Sequence, residues 1–463
     1  MIQLTATVVC IAIIVGLFFL DRDVGRVPSR ALWIPTAWLL INSSRAVSAW
    51  IHGESAVSLA QKYSEGSPLD AAIYGILILV GVAVLNLRSR QVKGFLHENV
   101  PLLLFISYCA LSVIWSDYSF VAFKRWSKSI GDVVMVMVIL TDSNPLAATK
   151  RVFASVAFVL LPLSVLFIEC YPDLGTAYSP ENGVTMYFGV TTFKNLLGMV
   201  SMVFGLASLW SCLDAIEDRR MTHRTRHLLA HAATVGLAIW LIVRADSMTS
   251  LSCVLLASAV MVLVSRRWIY RRPVSVHFTL GAAIGLPLFA LSVNSLGLLI
   301  HSLGRDTTLT GRTTIWKAVL SLHTNPLVGT GFESFWLGGR LEAVWNMSVK
   351  GIQEAHNGFI ELYLNLGWLG LILLGGLIIS GYRNATAALR QNLSDGRLRL
   401  AFFTAAMIFN LTEAGFRMLT PIWFAFLLAI AGDSTGILSK MSEEVPVTRL
   451  GRAARAGQIR VLR

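Results

Sequence analysis

The sequence predicts an all-α protein: a polytopic membrane helix bundle with about 12–13 transmembrane helices. The 463 residues are 55% hydrophobic but only 14% charged, whereas soluble domains carry roughly 25% charged residues. Apolar runs of about 20 residues, the length that crosses a bilayer core of about 30 Å, recur along the chain. Short basic clusters separate these runs, as expected of loops between membrane spans.

The apolar runs give the order of the helices. The fifth and twelfth runs are short. The first lacks a basic leading segment and a small-residue cleavage site, so we expect it to stay in the protein as a helix. The predicted helices lie near residues 1–20, 32–50, 70–87, 101–115, 129–141, 152–170, 193–213, 228–243, 249–265, 278–300, 357–381, 398–412 and 421–437.

Basic residues are concentrated in every second loop. The positive-inside rule makes those loops cytoplasmic, which places the N-terminus outside and the basic tail, residues 438–463, inside. The net charge of +13 therefore reflects topology, and nucleic acid is not an expected partner. We predict one integral membrane domain over residues 1–463, with one large outer loop, residues 301–356, that contains short helices.

The large outer loop divides into three pieces. The segment LTGRTTIWKAVLSLHTNP is typical of a helix capped by Thr310 and stopped by Pro326. The segment LVGTGFESFW reads as a glycine-rich turn, and no strand precedes it that would make it a nucleotide loop. After His356, the residues Asn357, Glu361 and Asn365 form a polar stripe on the next helix. That stripe indicates either a binding site or a helix cap followed by polar packing.

Several cations lie where the positive-inside rule does not require them. Lys194, Arg244, Arg305 and Arg312 are at helix ends or in the outer loop, where they are candidate ligands for an anion. Asp306 would compete with that anion for Arg305. Other outer cations have plainer interpretations: Arg45 and Arg417 are candidate interface anchors, and Lys124, Arg125 and Lys128 suit a helix lying at the lipid headgroups.

Other kinds of active site find no support in the sequence. Five cysteines are scattered through apolar helices without paired spacing, so neither a disulfide framework nor a thiolate metal site is indicated. There is no HExxH motif, Walker loop or Ser-His-Asp order, so metalloprotease and nucleotide-hydrolysis chemistry are unsupported. The histidines other than His356 lie in or near loops and helix ends, where solvated roles are expected.

The segments GRTTIWKAVLSLHTNPLVGTGFESFW and HNGFIELYLNLGWLG resemble the signature region of the O-antigen ligase and polymerase superfamily. Upstream, WSDYSFVAFKRW, FKNLLG and RADSMTSL resemble its ExoQ-like exopolysaccharide polymerase branch. The resemblance covers roughly residues 100–435. It implies a membrane-embedded glycosyltransferase of the bacterial inner membrane, metal-independent, inverting and without a cofactor, whose active site faces the periplasm.

The resemblance also implies the substrates. The donor is a glycan on undecaprenyl diphosphate, and the acceptor is another lipid-linked glycan in a polymerase or lipid A core in an O-antigen ligase. Polysaccharide chain-length or export proteins are further expected partners, beside the membrane lipid. An anionic lipid or polysaccharide transporter is an alternative, but it would carry charges along a path to both faces. A receptor or scaffold would tolerate loss of His356.

These expectations assign roles to residues. Guanidinium groups suit the charge that grows on a leaving diphosphate, so we predict diphosphate binding by Arg312 and Arg244, then Lys194 and Arg305. A histidine with an ordinary pKa of about 6.5 suits proton transfer at neutral pH. We therefore predict His356 as the catalytic base or acceptor-orienting group, with Glu361 beside it. Asn357, Trp316 and Trp336 are the predicted glycan-binding residues.

Overall fold

The computed structural model describes residues 1–22, 29–52, 66–178, 183–218, 221, 223–292, 308–348 and 351–432. Within these ranges the chain is almost wholly helical, apart from one antiparallel hairpin of β1 (Thr176–Tyr178) and β2 (Thr185–Tyr187). The predicted all-α membrane bundle is confirmed. The tail, residues 438–463, lies outside the described residues, as do parts of the large loop.

The helices follow the predicted order. In chain order they are α1 (Ile2–Leu20), α2 (Trp33–Asn42), α3 (Val47–His52), α4 (Pro68–Leu87), α5 (Ser89–Glu98), α6 (Val100–Leu111), α7 (Ser119–Leu140), α8 (Pro145–Cys170), α9 (Pro172–Gly175), α10 (Lys194–Glu217), α11 (Arg224–Arg244), α12 (Met248–Val264), α13 (Arg267–Tyr270), α14 (Pro273–Ser292), α15 (Thr308–Ser321), α16 (Gly338–Met347), α17 (Gly358–Gln391), α18 (Leu393–Thr412) and α19 (Pro421–Ile430).

Membrane-spanning character is clear for about half of the predicted spans. Among the described residues, six helices are long and apolar enough to cross a membrane: α1, α4, α8, α10, α11 and α17. The pair α5 and α6, bent by 87°, would make a seventh if it is one span. The helices α12 and α19 are apolar but shorter. A polytopic protein is thus confirmed, and the count of about 12–13 spans stays a prediction.

Two predicted boundaries are wrong. The span near 32–50 is interrupted, because α2 ends at Asn42 and α3 begins at Val47. The span near 129–141 begins earlier, since α7 already starts at Ser119. The basic segment that we expected to lie at the headgroups is the first half of this helix, and Arg125 within it is buried and donates to the backbone oxygen of Glu333.

Burial separates inner from peripheral helices. Nearly all of α10, α18 and α19 is buried, so these helices form the centre of the bundle. In α1 only Cys10 and Leu17 are buried. An apolar helix that leaves most of its side chains uncovered is expected to face lipid.

Helix α17 is interrupted, and the outer loop satisfies backbone N–H groups at the interruption. Gly367 inside α17 has φ 64° and ψ −164°, a conformation that only glycine adopts readily. The Trp368 and Leu369 N–H groups donate to the Pro326 and Leu327 oxygens at 2.9 and 3.1 Å. A membrane core tolerates irregular backbone only where protein satisfies it. The segment LVGTGFESFW, which we predicted as a glycine-rich turn, packs into the bundle, and its residues 329–336 are buried.

Candidate functional site

The candidate site is a network of charged side chains from distant parts of the sequence. Its carboxylates are Glu333 from the buried loop segment, Glu354 just before α17, and Glu413 just after α18. Its cations are Arg312 on α15 and Arg417 on the segment between α18 and α19. His356 lies between the two groups. The interruption of α17 and the end of α18 bring these segments together.

Glu413 is the centre of this network. Its Oε1 accepts hydrogen bonds from Arg312 Nη2 at 2.6 Å and from Asn195 Nδ2 at 3.1 Å. Its Oε2 faces His356 Nδ1 at 3.0 Å. The Glu413 side chain is only 6% exposed, so these charge-assisted hydrogen bonds lie in a poorly solvated place where they are stronger than at a surface.

The network continues from His356 to Arg417. The same Nδ1 of His356 is 3.0 Å from Glu354 Oε1, and the other oxygen of Glu354 is 3.5 Å from Arg417 Nη1. Arg417 Nη2 and Nε donate to Glu333 Oε2 at 3.0 and 3.2 Å. Two guanidinium groups, one imidazole and three carboxylates therefore form one connected set.

The backbone at the site is strained. Glu333, His356 and Leu419 have φ values of 51°, 48° and 60°, and such a conformation costs about 1–3 kcal/mol in a residue other than glycine. Neighbouring contacts hold His356 in it. The Asn357 side chain caps α17 by accepting from Phe359 N and Ile360 N, and the Ala355 N–H donates to Glu361 Oε2 at 2.9 Å. Strain of this kind persists where the surroundings fix a functional geometry.

A cavity of about 220 Å³ opens beside the network. Glu333, Glu354, Glu413 and Arg417 line its polar side, together with Asn195 near the start of α10. Apolar side chains, among them Phe193, Met199 and Phe409, line the rest. A concave site with a few convergent polar groups on an apolar wall is the usual form of a ligand pocket.

The surroundings of His356 favour its protonated form at neutral pH. Burial disfavours a charged imidazole, but hydrogen bonds and charge from Glu354 and Glu413 outweigh burial and raise the pKa of His356 to about 10. For Glu354, burial acts against ionisation, yet the His356 hydrogen bond and the surrounding cations lower its pKa below the ordinary value. A ring that already carries its proton does not act as a base, so we revise the role predicted for His356 to that of a donor.

The structure brings together only some of the predicted diphosphate ligands. Arg312 and His356 share Glu413, and Lys194 precedes the cavity residue Asn195 at the start of α10. Arg244 makes separate contacts: it pairs with Glu169 at 2.8 Å and stacks over Tyr187 and Trp240. Arg305 lies outside the described residues. We therefore leave Arg244 out of the proposed site.

The predicted glycan-binding side chains form hydrogen bonds that hold the residues of the site in position. Trp336 is 1% exposed and donates to Glu361 Oε1 at 2.7 Å, while Glu361 itself is 2% exposed. Trp316 donates to the Ala355 oxygen at 2.7 Å. These contacts fix the backbone that carries His356. Because Trp336 and Glu361 have no accessible face, we reassign both to positioning, and Asn357 is a helix cap.

Four network residues were missed by the sequence analysis: Glu333, Glu354, Glu413 and Asn195. Arg417 was interpreted as an interface anchor, but it is an inward-facing partner of Glu333. A signal was available in the segment LTEAGFR, where Glu413 and Arg417 interrupt apolar helices at four-residue spacing. Ionisable residues at membrane depth are functional candidates whatever their sign, and Glu361 was the one carboxylate that we predicted for the site.

The cluster also has the donor atoms of a cation site. One ligand atom each from Glu354, His356 and Glu413 lie within 4.8 Å of one another. However, Arg312, Arg417 and a protonated His356 together balance the three carboxylates of the network. The arrangement is that of an ion-pair network, and metal-independent transfer stays a prediction.

Comparison with known proteins agrees with this architecture. The O-antigen ligase family model matches residues 232–375, which contain Arg312 and His356. The exopolysaccharide production protein ExoQ of Rhizobium meliloti (strain 1021) is 25% identical over 345 residues, which cover 72% of this chain and 75% of ExoQ. These two matches confirm the resemblance to the O-antigen ligase and polymerase superfamily, and within it to the ExoQ-like exopolysaccharide proteins.

Proposed function

We propose that the protein transfers a glycan from an undecaprenyl-diphosphate-linked donor to a glycan acceptor at the periplasmic face of the inner membrane. The observation that carries this proposal is the ion-pair network of Arg312, Arg417 and His356. Arg417 lines the cavity itself, and the other two cations contact the carboxylates Glu413 and Glu354 that line it. Three cationic groups in a poorly solvated place suit a diphosphate, whose oxygens accept bidentate guanidinium hydrogen bonds.

In the site without substrate, the cationic groups are paired with carboxylates. With His356 protonated, three positive groups face the three carboxylates Glu333, Glu354 and Glu413. A bound diphosphate takes over some of the hydrogen bonds that these carboxylates now accept. The cations thus stay ordered without substrate, and they need little reorganisation when charge develops on the leaving group.

Transfer proceeds as a single displacement in this proposal. The acceptor hydroxyl oxygen bonds to the anomeric carbon of the donor sugar while the bond from that carbon to the diphosphate oxygen breaks. The hydroxyl proton passes to Glu354, the most accessible of the three carboxylates at 22% side-chain exposure. Undecaprenyl diphosphate leaves as an anion held by Arg312, Arg417 and His356. A carboxylate base of this kind is usual in inverting reactions at sugars.

Polymerisation of repeat units is the favoured form of this reaction, because the ExoQ similarity covers most of the chain. The alternative is an O-antigen ligase that transfers finished polymer to lipid A core, which the match over residues 232–375 favours. Both forms use the same donor chemistry, so the acceptor distinguishes them.

The test is complementation of a deletion strain at matched membrane abundance, with lipid-linked and exported glycans resolved by size. Wild type is compared with Arg312→Lys and His356→Gln, and with Lys317→Gln as a control on the exposed face of α15. We expect both site variants, but not the control, to accumulate single undecaprenyl-linked repeat units. Polymer that accumulates on undecaprenyl identifies a ligase. Normal glycans in both site variants contradict the proposed site.

A further inference from the structure

A second cluster of ligand atoms lies at the opposite end of the bundle. The antiparallel helices α1 and α11 pack together. The start of α1 contacts Cys170 through Gln3, and the end of α11 contacts Glu169 through Arg244. Asp21 follows the last residue of α1, so it lies at the far end, where α11 begins.

Three side chains converge at this far end. His227 Nδ1 is 2.6 Å from Asp21 Oδ1, and His231 Nε2 is 3.1 Å from the same oxygen. The two histidines are four residues apart on α11, so both rings lie on one helix face. One ligand atom from each residue lies within 4.8 Å of the others. Two imidazoles and a carboxylate are a common set of protein ligands for divalent transition metals.

Hydrogen bonding to Asp21 alone leaves this cluster incompletely satisfied. The His227 and His231 side chains are 13% and 2% exposed, and the Asp21 side chain is 10% exposed. Among the described residues, the other ring nitrogens, His227 Nε2 and His231 Nδ1, are buried without a hydrogen-bond partner, so each ring is held only through the nitrogen that faces Asp21. One carboxylate oxygen shared by two buried rings therefore offsets little of the free-energy cost of burying them.

The adjacent cations are engaged elsewhere. Arg226 Nη2 donates to the Phe19 oxygen at 2.9 Å and its guanidinium stacks on the Phe19 ring. Lys150 pairs with Asp214.

We propose that Asp21, His227 and His231 bind one divalent transition-metal ion of the Zn²⁺ or Co²⁺ class, which ties the end of α1 to α11. The ion has three protein ligands and keeps open positions for water. The ion links two helices: α1 buries only Cys10 and Leu17 in the bundle, so this link holds a helix that otherwise makes few core contacts. This inference does not depend on glycosyl transfer.

The test uses the full chain purified in detergent with an affinity tag free of histidine, stripped with a chelator and then titrated with Co²⁺ and Zn²⁺. Bound metal per chain, the Co²⁺ absorption spectrum and the dissociation constant are measured. We expect one ion per wild-type chain. Asp21→Asn and His227→Gln should each weaken binding by more than about tenfold, since even changes outside the ligand shell cost about 10- to 100-fold.

Two controls separate this site from others. His97→Gln changes an exposed histidine on α5 and should bind as wild type does. His356→Gln removes the other candidate ligand group. The proposal is overturned if wild type takes up no stoichiometric ion, if Asp21→Asn and His227→Gln retain it, or if His356→Gln alone loses it. The wild-type stoichiometry decides even where a variant folds poorly.

Discussion

Replacing Glu413 by Gln should make His356 lose its proton at a lower pH. The pKa of His356 rises from 6.5 to about 10 in the folded protein, a preference for the charged ring of about 5 kcal/mol. Glu354 and Glu413 both lie 3.0 Å from Nδ1. Burial opposes the charged ring and remains in the variant, so the two carboxylates together supply more than this net preference. If they contribute about equally, Gln at position 413 removes about 2.4 kcal/mol or more and lowers the pKa by about 1.8 pH units or more.

The sign of the effect follows from linkage. A folded pKa above the unfolded value means that the stabilisation from His356 is complete below about pH 6.5 and is lost as the pH rises to about 10. The transfer rate of wild type should therefore be flat near neutral pH and fall towards pH 10. In Glu413→Gln the fall should begin about 1.8 pH units lower or more.

The assay is transfer by purified protein from a lipid-linked donor between pH 6 and 10.5, each curve normalised to its own maximum. Normalisation removes any general loss of activity in the variant. Glu342→Gln, an exposed carboxylate on α16, is the matched control and should follow wild type. A wild-type rate that rises through pH 6.5 would show that His356 acts as a neutral base. If the rates of wild type and Glu413→Gln fall at the same alkaline pH, the proposed coupling of His356 to Glu413 is refuted.

Two further predictions concern the scaffold around the site. Gly367→Ala should lower the thermal midpoint of the purified protein sharply, because an added Cβ would lie 2.3 Å from the Leu327 backbone at a φ of +64°. The control Gly376→Ala, in open space on the same helix, should leave the midpoint unchanged. Equal midpoints for the two variants would mean that the break in α17 does not form. Trp336→Phe should destabilise the protein by about 1–3 kcal/mol, since buried Glu361 loses a hydrogen-bond donor. The KM for the glycan should stay unchanged in transfer assays. A raised KM with unchanged stability would restore the glycan-binding role first predicted for Trp336.

Much of the fold could be predicted because hydrophobic length is a strong signal. Each predicted span corresponds to a helix in the described residues, from α1 to α19. The errors arise where tertiary contacts override local pattern. The break at Gly367 depends on backbone partners at Pro326 and Leu327, some 40 residues earlier in the chain. No local pattern specifies such a pairing, so the burial of residues 329–336 within the predicted glycine-rich turn could not be foreseen.

The candidate site could be predicted only in part. Arg312 and His356 stand out because they are polar residues at helix ends near the membrane boundary. Their charge state could not be predicted, since it depends on Glu354 and Glu413, and Glu413 comes from a helix 57 residues further along the chain. The ordinary pKa of an isolated histidine favoured a base, whereas the assembled site favours a cation.

The balance of charge explains why a site for an anion is rich in carboxylates. Arg312 and Arg417 are 18% and 16% exposed, and unpaired guanidinium groups at such burial would lose hydration and repel each other. Glu333 and Glu413 remove that cost in the resting protein and fix both arginines in position. They also set a threshold, because a ligand must offer more than one negative group to displace them. A diphosphate meets this requirement better than a single carboxylate or phosphate monoester, so the carboxylates contribute to selection of the donor as well as to stability.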